Sequence, residues 1–117
     1  MHEIALSTYI ADIVSRAAGR RRVEIIRLEI GALRQVVPSS LEYAWGFVTR
    51  DTALAKSRLD IRWIDAVVEC DAGHTTVLDA AEYLSMACPV CSKPVTVVAG
   101  NECRVRDIEV AGAYPPG

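Results

Sequence analysis

Three cysteines and one histidine have the spacing of a structural zinc site. Cys70 and His74 form a C-x3-H pair, and Cys88 and Cys91 form a C-x2-C pair further along the chain. Zinc in structural sites binds four tetrahedral ligands, and thiolate sulfur and imidazole nitrogen are its usual donors. The spacing therefore predicts one zinc ion bound by Cys70, His74, Cys88 and Cys91. At the position of His74, the competing ligands are Asp71, water and a group from a partner chain.

The first three residues, Met1, His2 and Glu3, form a second candidate metal site of a different kind. The amine of Met1, the amide nitrogen of His2 and the imidazole of His2 can close fused five- and six-membered chelate rings. Nitrogen donors in one plane suit Ni(II) or Cu(II). Glu3 could add an oxygen or its own amide, and nothing encloses such a site. Taken alone, a histidine at position two is a weak signal, because many proteins carry one by chance.

Length, composition and charge narrow the classes of protein. The chain has 117 residues, of which 51% are hydrophobic, and its net charge is -2. These values favour a folded domain, or a small domain with a metal-stabilised insert, and they disfavour a nucleic-acid partner. The start of the chain does not resemble a signal peptide, and no apolar run approaches the ~20 residues that span a bilayer. We therefore expect a cytoplasmic protein without a membrane partner, whose cysteines bind metal rather than form disulfides.

The hydrophobic periodicity predicts helices and strands on both sides of the cysteine pairs. A helix is expected over residues 4–18, and a second helix begins near Pro38, where Ser39 and Glu42 form a capping box. Strands are expected over residues 22–31, 58–69 and 102–110. The apolar stripe of the first helix contains Leu6, Tyr9, Ile10, Ile13, Val14 and Ala17.

These elements predict an α+β fold, with two helices packed on a three-stranded sheet and an inserted zinc-ribbon-like domain. The expected bounds are 1–68 together with 101–110 for the main domain and 69–100 for the insert. Residues 111–117 are expected to form a disordered tail. Trp45 and Phe47 are expected to pack in the core.

Two further features have mainly structural interpretations. Cys103 lies on the last predicted strand and is expected to be a small buried side chain. The run Arg20–Arg22 follows the first helix and is expected to be its solvated end, favoured by the helix dipole. The alternative for this run is a patch that binds an acidic partner.

The chain resembles the HypA/HybF family of hydrogenase-maturation nickel metallochaperones over about residues 1–110. Met1-His2-Glu3 matches the N-terminal motif of the family, and this short motif is specific when it is joined with the cysteine pairs. The other matching stretches occur in the same order as in the family: Val23–Gly31, Pro38–Trp45, Leu59–Ile61, Cys88–Cys91 and Gly100–Val110.

The resemblance implies a nickel-binding domain of helices on a three-stranded sheet, with a zinc-ribbon insert. It implies that the protein is not an enzyme and that it passes nickel to the large subunit of [NiFe]-hydrogenase together with the GTPase HypB. His2 would be the essential nickel ligand, with the Met1 amine and Glu3 beside it. Zinc would be ligated by Cys70, Cys88 and Cys91.

The sequence departs from the family pattern at two positions. The first knuckle of the family is normally C-x2-C, but Gly73 occupies the position of its second cysteine and His74 follows directly. This departure leaves three alternatives for the zinc site: a Cys3His ligand set, a weakened site, or no site. The histidine directly after Gly73 favours the Cys3His set. Cys103 stands where a leucine-like residue is usual, which supports its role in the core.

Two other functions compete with the metallochaperone. The first is a zinc-ribbon module that binds protein or nucleic acid without nickel transfer. The second is a zinc hydrolase, which ranks last because a closed four-donor site leaves no position for water and His2 and His74 are the only histidines. The sequence leaves open whether the protein is a monomer or a dimer, which hydrogenase it serves, and whether it has a role with urease.

Overall fold

A computed structural model describes residues 2–78 and 87–111 of the chain. Its helical elements are α1 (Glu3–Ala18), a short 3-10 helix (Ala32–Arg34) and α2 (Pro38–Val48). Its strands are β1 (Val23–Gly31), β2 (Arg58–Ile64), β3 (Ala66–Cys70), β4 (Thr75–Leu78), β5 (Val95–Ala99) and β6 (Cys103–Val110). The predicted α+β class is confirmed. The predicted disordered tail lies, except for Ala111, outside the described residues.

The strands form two separate sheets of three. One sheet has the order β2-β1-β6, and the other has the order β4-β3-β5, in which β3 is antiparallel to both neighbours. The chain divides into two compact units: residues 1–28, 36–62 and 104–117 form the first, and residues 29–35 and 63–103 form the second. The boundaries predicted at 69 and 101 stay a prediction.

The first helix is formed by an apolar stripe and ends at a glycine. Leu6, Ile10 and Val14 are buried at four-residue spacing, which places them on one face of α1. Gly19 ends the helix with a φ of 63°, and its N–H donates to the carbonyl of Ser15 at 3.0 Å. The prediction was wrong for Tyr9 and Ala17, which are exposed, because the buried stripe turns toward Ser7 and Ala18 instead.

The predicted capping box of α2 is wrong. The helix begins at Pro38 with Val37 as its N-cap, and no side chain of the N-cap residue bonds to the helix. Proline is favoured at the first helical position because it needs no N–H partner and its φ suits a helix. Ser39 and Glu42 therefore already lie inside the helix. In its core face, Leu41 and Trp45 are buried as expected, whereas Phe47 is 56% exposed and is not a core residue.

The single strand predicted over residues 58–69 is two strands that belong to different sheets. The break falls at Asp65, between β2 and β3. Gly100 approaches this point so closely that a Cβ atom on it would lie 2.4 Å from Cα of Ala66. A Cβ on Gly31 would likewise lie 2.0 Å from the carbonyl oxygen of Gly100. Neither position has room for a side chain, so both close approaches require glycine.

Among the described residues, no helix is both long enough and apolar enough to cross a membrane.

Replacing Gly100 by alanine tests the close approach. Gly100 has a φ of 104° and no room for a Cβ, so we expect Gly100→Ala to lower the free energy of unfolding by about 2–4 kcal/mol. The control is Gly46→Ala on α2, where a Cβ meets nothing within 4 Å; it should raise stability by about 0.5–1 kcal/mol. Urea unfolding followed by circular dichroism measures both. Equal stability of the Gly100→Ala variant and the wild type would contradict the packing described.

Candidate metal centres

The structure brings together the three cysteines and the histidine that the sequence selected. One ligand atom from each of Cys70, His74, Cys88 and Cys91 lies within 4.8 Å of all the others. The Nδ1 atom of His74 lies 3.4 Å from Sγ of Cys70 and 3.7 Å from Sγ of Cys88, and the sulfurs of Cys70 and Cys91 are 3.7 Å apart. Four soft donors therefore surround one point.

A tight turn between β3 and β4 positions the first pair of ligands. Cys70 is the last residue of β3, its N–H donates to the carbonyl of His74 at 3.1 Å, and the N–H of Gly73 donates to the carbonyl of Cys70 at 2.9 Å. Gly73 has a φ of 87°, a conformation that L residues rarely adopt. A cysteine at position 73 would be strained in this turn, and the residue that reaches the cluster is His74.

The second pair of ligands lies on a turn closed by backbone hydrogen bonds. The N–H of Cys88 donates to the carbonyl of Lys93 at 2.8 Å, and the N–H of Ser92 donates to the carbonyl of Cys88 at 2.8 Å. The N–H of Val90 points at the sulfur of Cys88, 3.4 Å away. These hydrogen bonds hold the turn in a shape that brings the sulfurs of Cys88 and Cys91 into the same cluster.

The donor set fits a tetrahedral zinc ion. With ordinary zinc bond lengths, the edges of the tetrahedron are roughly 3.8 Å between two sulfurs and roughly 3.6 Å between sulfur and nitrogen. The distances of 3.4 Å and 3.7 Å from Nδ1 of His74 and 3.7 Å between Cys70 and Cys91 agree with these edges. A disulfide would instead require about 2.05 Å between two sulfurs, and all four cysteines are free.

The pKa values of the three thiols in this cluster shift in different directions. Burial raises the pKa of Cys70 and of Cys88, but backbone N–H donors outweigh it and hold both pKa values below the ordinary value. At Cys91 the N–H of Lys93 lowers the pKa, whereas burial and the sulfurs of Cys70 and Cys88 raise it, and the pKa lies above its ordinary value. A divalent ion at the centre of the cluster stabilises all three thiolates at once, because its charge offsets the repulsion between neighbouring sulfurs.

Cys103 lies apart from this cluster. It is half-buried on β6, and burial raises the pKa of its thiol despite the nearby Arg34, which lowers it. A neutral thiol of this kind is neither a good nucleophile nor a good ligand. The sequence predicted a small buried side chain at this position, and the structure leaves Cys103 only half-buried.

The N-terminal candidate residues lie at the start of α1. His2 is exposed and is the N-cap of the helix, where its Nδ1 accepts the N–H of Ala5 at 3.4 Å. Glu3 is the first helical residue, and its carboxylate accepts the N–H of Val37 at 3.3 Å. This hydrogen bond lowers the pKa of Glu3 below its ordinary value. Met1 lies outside the described residues.

Sequence reasoning missed that α2 supplies one wall of the N-terminal site. His2, Glu3 and Ile4 line an open depression together with residues from the first turns of α2. The α2 residues that line it are Ser39, Ser40, Tyr43 and Ala44. No signal in the sequence predicts this neighbourhood, because it depends on the packing of α1 against α2, which brings the two helix starts together.

Comparison with known proteins identifies the family. The family model described as "Hydrogenase/urease nickel incorporation, metallochaperone, hypA" matches residues 1–110. A hydrogenase maturation factor HypA from Geotalea uraniireducens is 37% identical over 94% of this chain and 99% of its own length. The corresponding protein of Geobacter metallireducens is 36% identical with the same coverage.

A solved structure supports the fold. The solution structure of the Ni metallochaperone HypA from Helicobacter pylori superposes with a TM-score of 0.65, at 23% identity, and the match covers 94% of this chain and 97% of that one. The similarity to the HypA/HybF family that the sequence motifs indicated is therefore confirmed, and with it the expectation of a metallochaperone rather than an enzyme. The chain belongs to the HypA family of nickel metallochaperones for hydrogenase maturation.

Proposed function

We propose that this protein binds Ni(II) at its N-terminus and delivers it to the large subunit of a [NiFe]-hydrogenase in the cytoplasm, with the GTPase HypB as its partner. The observation that carries the proposal is the match of residues 1–110 to a family of nickel incorporation, which includes the N-terminal residues. The relatives matched over nearly their whole length are hydrogenase maturation factors.

The N-terminal residues have the properties that a carried ion requires. The proposed ligands are the Met1 amine, the amide and imidazole of His2, and Glu3. His2 is exposed, and the depression beside it opens to solvent. An ion bound there is accessible to an acceptor protein from the open side of the depression.

The second metal centre is proposed to be a structural zinc site formed by Cys70, His74, Cys88 and Cys91. It supports the fold because the described residues around the site form only a small apolar cluster, in which Leu78 and Cys91 pack against the buried Val68, Val95, Cys70 and Cys88. Structural zinc contributes about 10–16 kcal/mol to folding in small peptides, more than so few apolar side chains can supply. Four protein donors also leave no open position for a catalytic water.

The nickel proposal predicts that His2→Ala loses the N-terminal site. Removal of the imidazole opens the chelate, so we expect the affinity for Ni(II) to fall at least about a hundredfold, as for the loss of a main ligand. Isothermal titration of the zinc-loaded protein measures it. If the wild type and His2→Ala bind one Ni(II) ion equally well, the N-terminal site is refuted.

A chain with one glycine added before Met1 tests the amine separately. Its former terminal nitrogen becomes an amide, which is a far weaker donor at neutral pH, so nickel affinity should fall although His2 and Glu3 are unchanged. The same titration measures this effect. Undiminished affinity would exclude the Met1 amine as a ligand.

The zinc proposal predicts that His74→Ala holds zinc less tightly. Loss of the hydrogen-bond partner of a metal ligand lowers metal affinity roughly 10- to 100-fold. Loss of the ligand itself should lower zinc affinity by at least as much. Competition with a chromophoric chelator measures the affinity. Thr75→Ala is the control, since this exposed neighbour supplies no ligand atom. If His74→Ala and Thr75→Ala retain zinc equally, His74 does not belong to the site.

A further inference from the structure

The imidazole of His2 has a structural role at the start of α1. His2 has extended backbone angles, φ -78° and ψ 115°, and its Nδ1 accepts the N–H of Ala5, the third residue of α1. The first N–H groups of a helix have no partner inside the helix, and an N-cap side chain supplies one. His2 therefore takes the place that serine, threonine, aspartate or asparagine occupies at most helix starts.

Chelation of a metal through the backbone of His2 requires the same nitrogen. The six-membered ring consists of the metal, the amide nitrogen, Cα, Cβ, Cγ and Nδ1. Nε2 cannot close this ring, because its lone pair points away from the backbone. Each imidazole nitrogen has a single lone pair for a ligand or a hydrogen bond. Nδ1 of His2 therefore cannot bind the metal and accept the N–H of Ala5 together.

Building on the N-terminal nickel site proposed above, we infer that nickel binding breaks the N-cap of α1, because the cap and the metal compete for Nδ1 of His2. In the loaded protein the N–H of Ala5 turns to water, which reaches it because Ala5 is exposed. The free energy of the cap is lost on loading and regained on release. By linkage, the cap weakens nickel binding by the same factor by which nickel weakens the cap.

The competition for Nδ1 distinguishes an ion chelated by the amide and imidazole of His2 from an ion bound by the imidazole alone. An ion that binds only the imidazole can use Nε2, which leaves Nδ1 in its hydrogen bond to Ala5. An ion that binds the amide nitrogen as well must take Nδ1. Ni(II) favours the planar nitrogen chelate, whereas Zn(II) has no such geometric preference. The first turn of α1 therefore loosens with Ni(II) and stays capped with Zn(II).

Neighbouring contacts confine the change to the first turn. The carboxylate of Glu3 accepts the N–H of Val37, before the start of α2, and this contact stays in place when Glu3 ligates the metal through its amide. Leu6 and Ser7, which follow Ala5, are buried at 4% and 0% exposure. The helix beyond Ala5 is thus fixed by packing, and the loss of order is restricted to residues 2–5.

The variant Ala5→Pro tests the competition without altering a metal ligand. Proline has no N–H, so this variant has no cap to break. In the zinc-loaded full chain we expect it to bind Ni(II) about three- to tenfold more tightly than the wild type, the factor that corresponds to an ordinary N-cap. Ala5→Ser keeps the donor and should match the wild type. Equal or weaker binding by a folded Ala5→Pro would overturn the inference.

Hydrogen exchange of the wild-type protein tests the inference without any variant. The N-terminal peptide, measured by mass spectrometry, should exchange several-fold faster with equimolar Ni(II) than without metal and should not change with equimolar Zn(II). Unchanged or slower exchange with Ni(II), or equal acceleration by both ions, would overturn it. Failure of the proposed function looks different: His2→Ala would then bind nickel as well as the wild type, whatever the exchange shows.

Discussion

The convergence of three thiols and one imidazole on a single point is the constraint on which the second unit depends. Sulfurs of Cys70 and Cys91 only 3.7 Å apart repel each other once both are ionised. Although the N–H of Lys93 lowers the pKa of Cys91, burial raises it, and the neighbouring sulfurs raise it further. Among the described residues, the buried cluster around them is small. A divalent ion converts the repulsion into attraction, so the proposed zinc explains why a segment with so little apolar core has a defined fold.

The two proposed metal sites differ in the way that their roles require. The cysteine cluster has four protein donors held by strands and closed turns, which leaves a bound ion no free coordination position. The N-terminal site consists of backbone and side-chain atoms of the first residues, beside an open depression lined by α2. A site that competes with a helix cap binds its ion less tightly and releases it more easily, because the cap forms again when the ion leaves.

Much of this arrangement could be predicted from sequence, since it depends on local patterns. The stripe of Leu6, Ile10 and Val14 and the C-x2-C pair are readable without a structure. The division of residues 58–69 into two strands could not be predicted, because apolar residues continue on both sides of Asp65 and the close approach of Gly100 there comes from a distant part of the sequence. Likewise, the exposure of Phe47 and the contact between Glu3 and Val37 depend on how helices pack, which periodicity alone does not specify.

X-ray absorption on protein loaded with one zinc and one nickel ion separates the two metal sites, because each edge reports the ligands of its own metal. We expect three sulfur ligands and one imidazole at the zinc edge, and only nitrogen and oxygen ligands, with an imidazole among them, at the nickel edge. Sulfur bound to nickel, or zinc without three sulfurs, would contradict the assignment of the two ions to separate sites with separate roles.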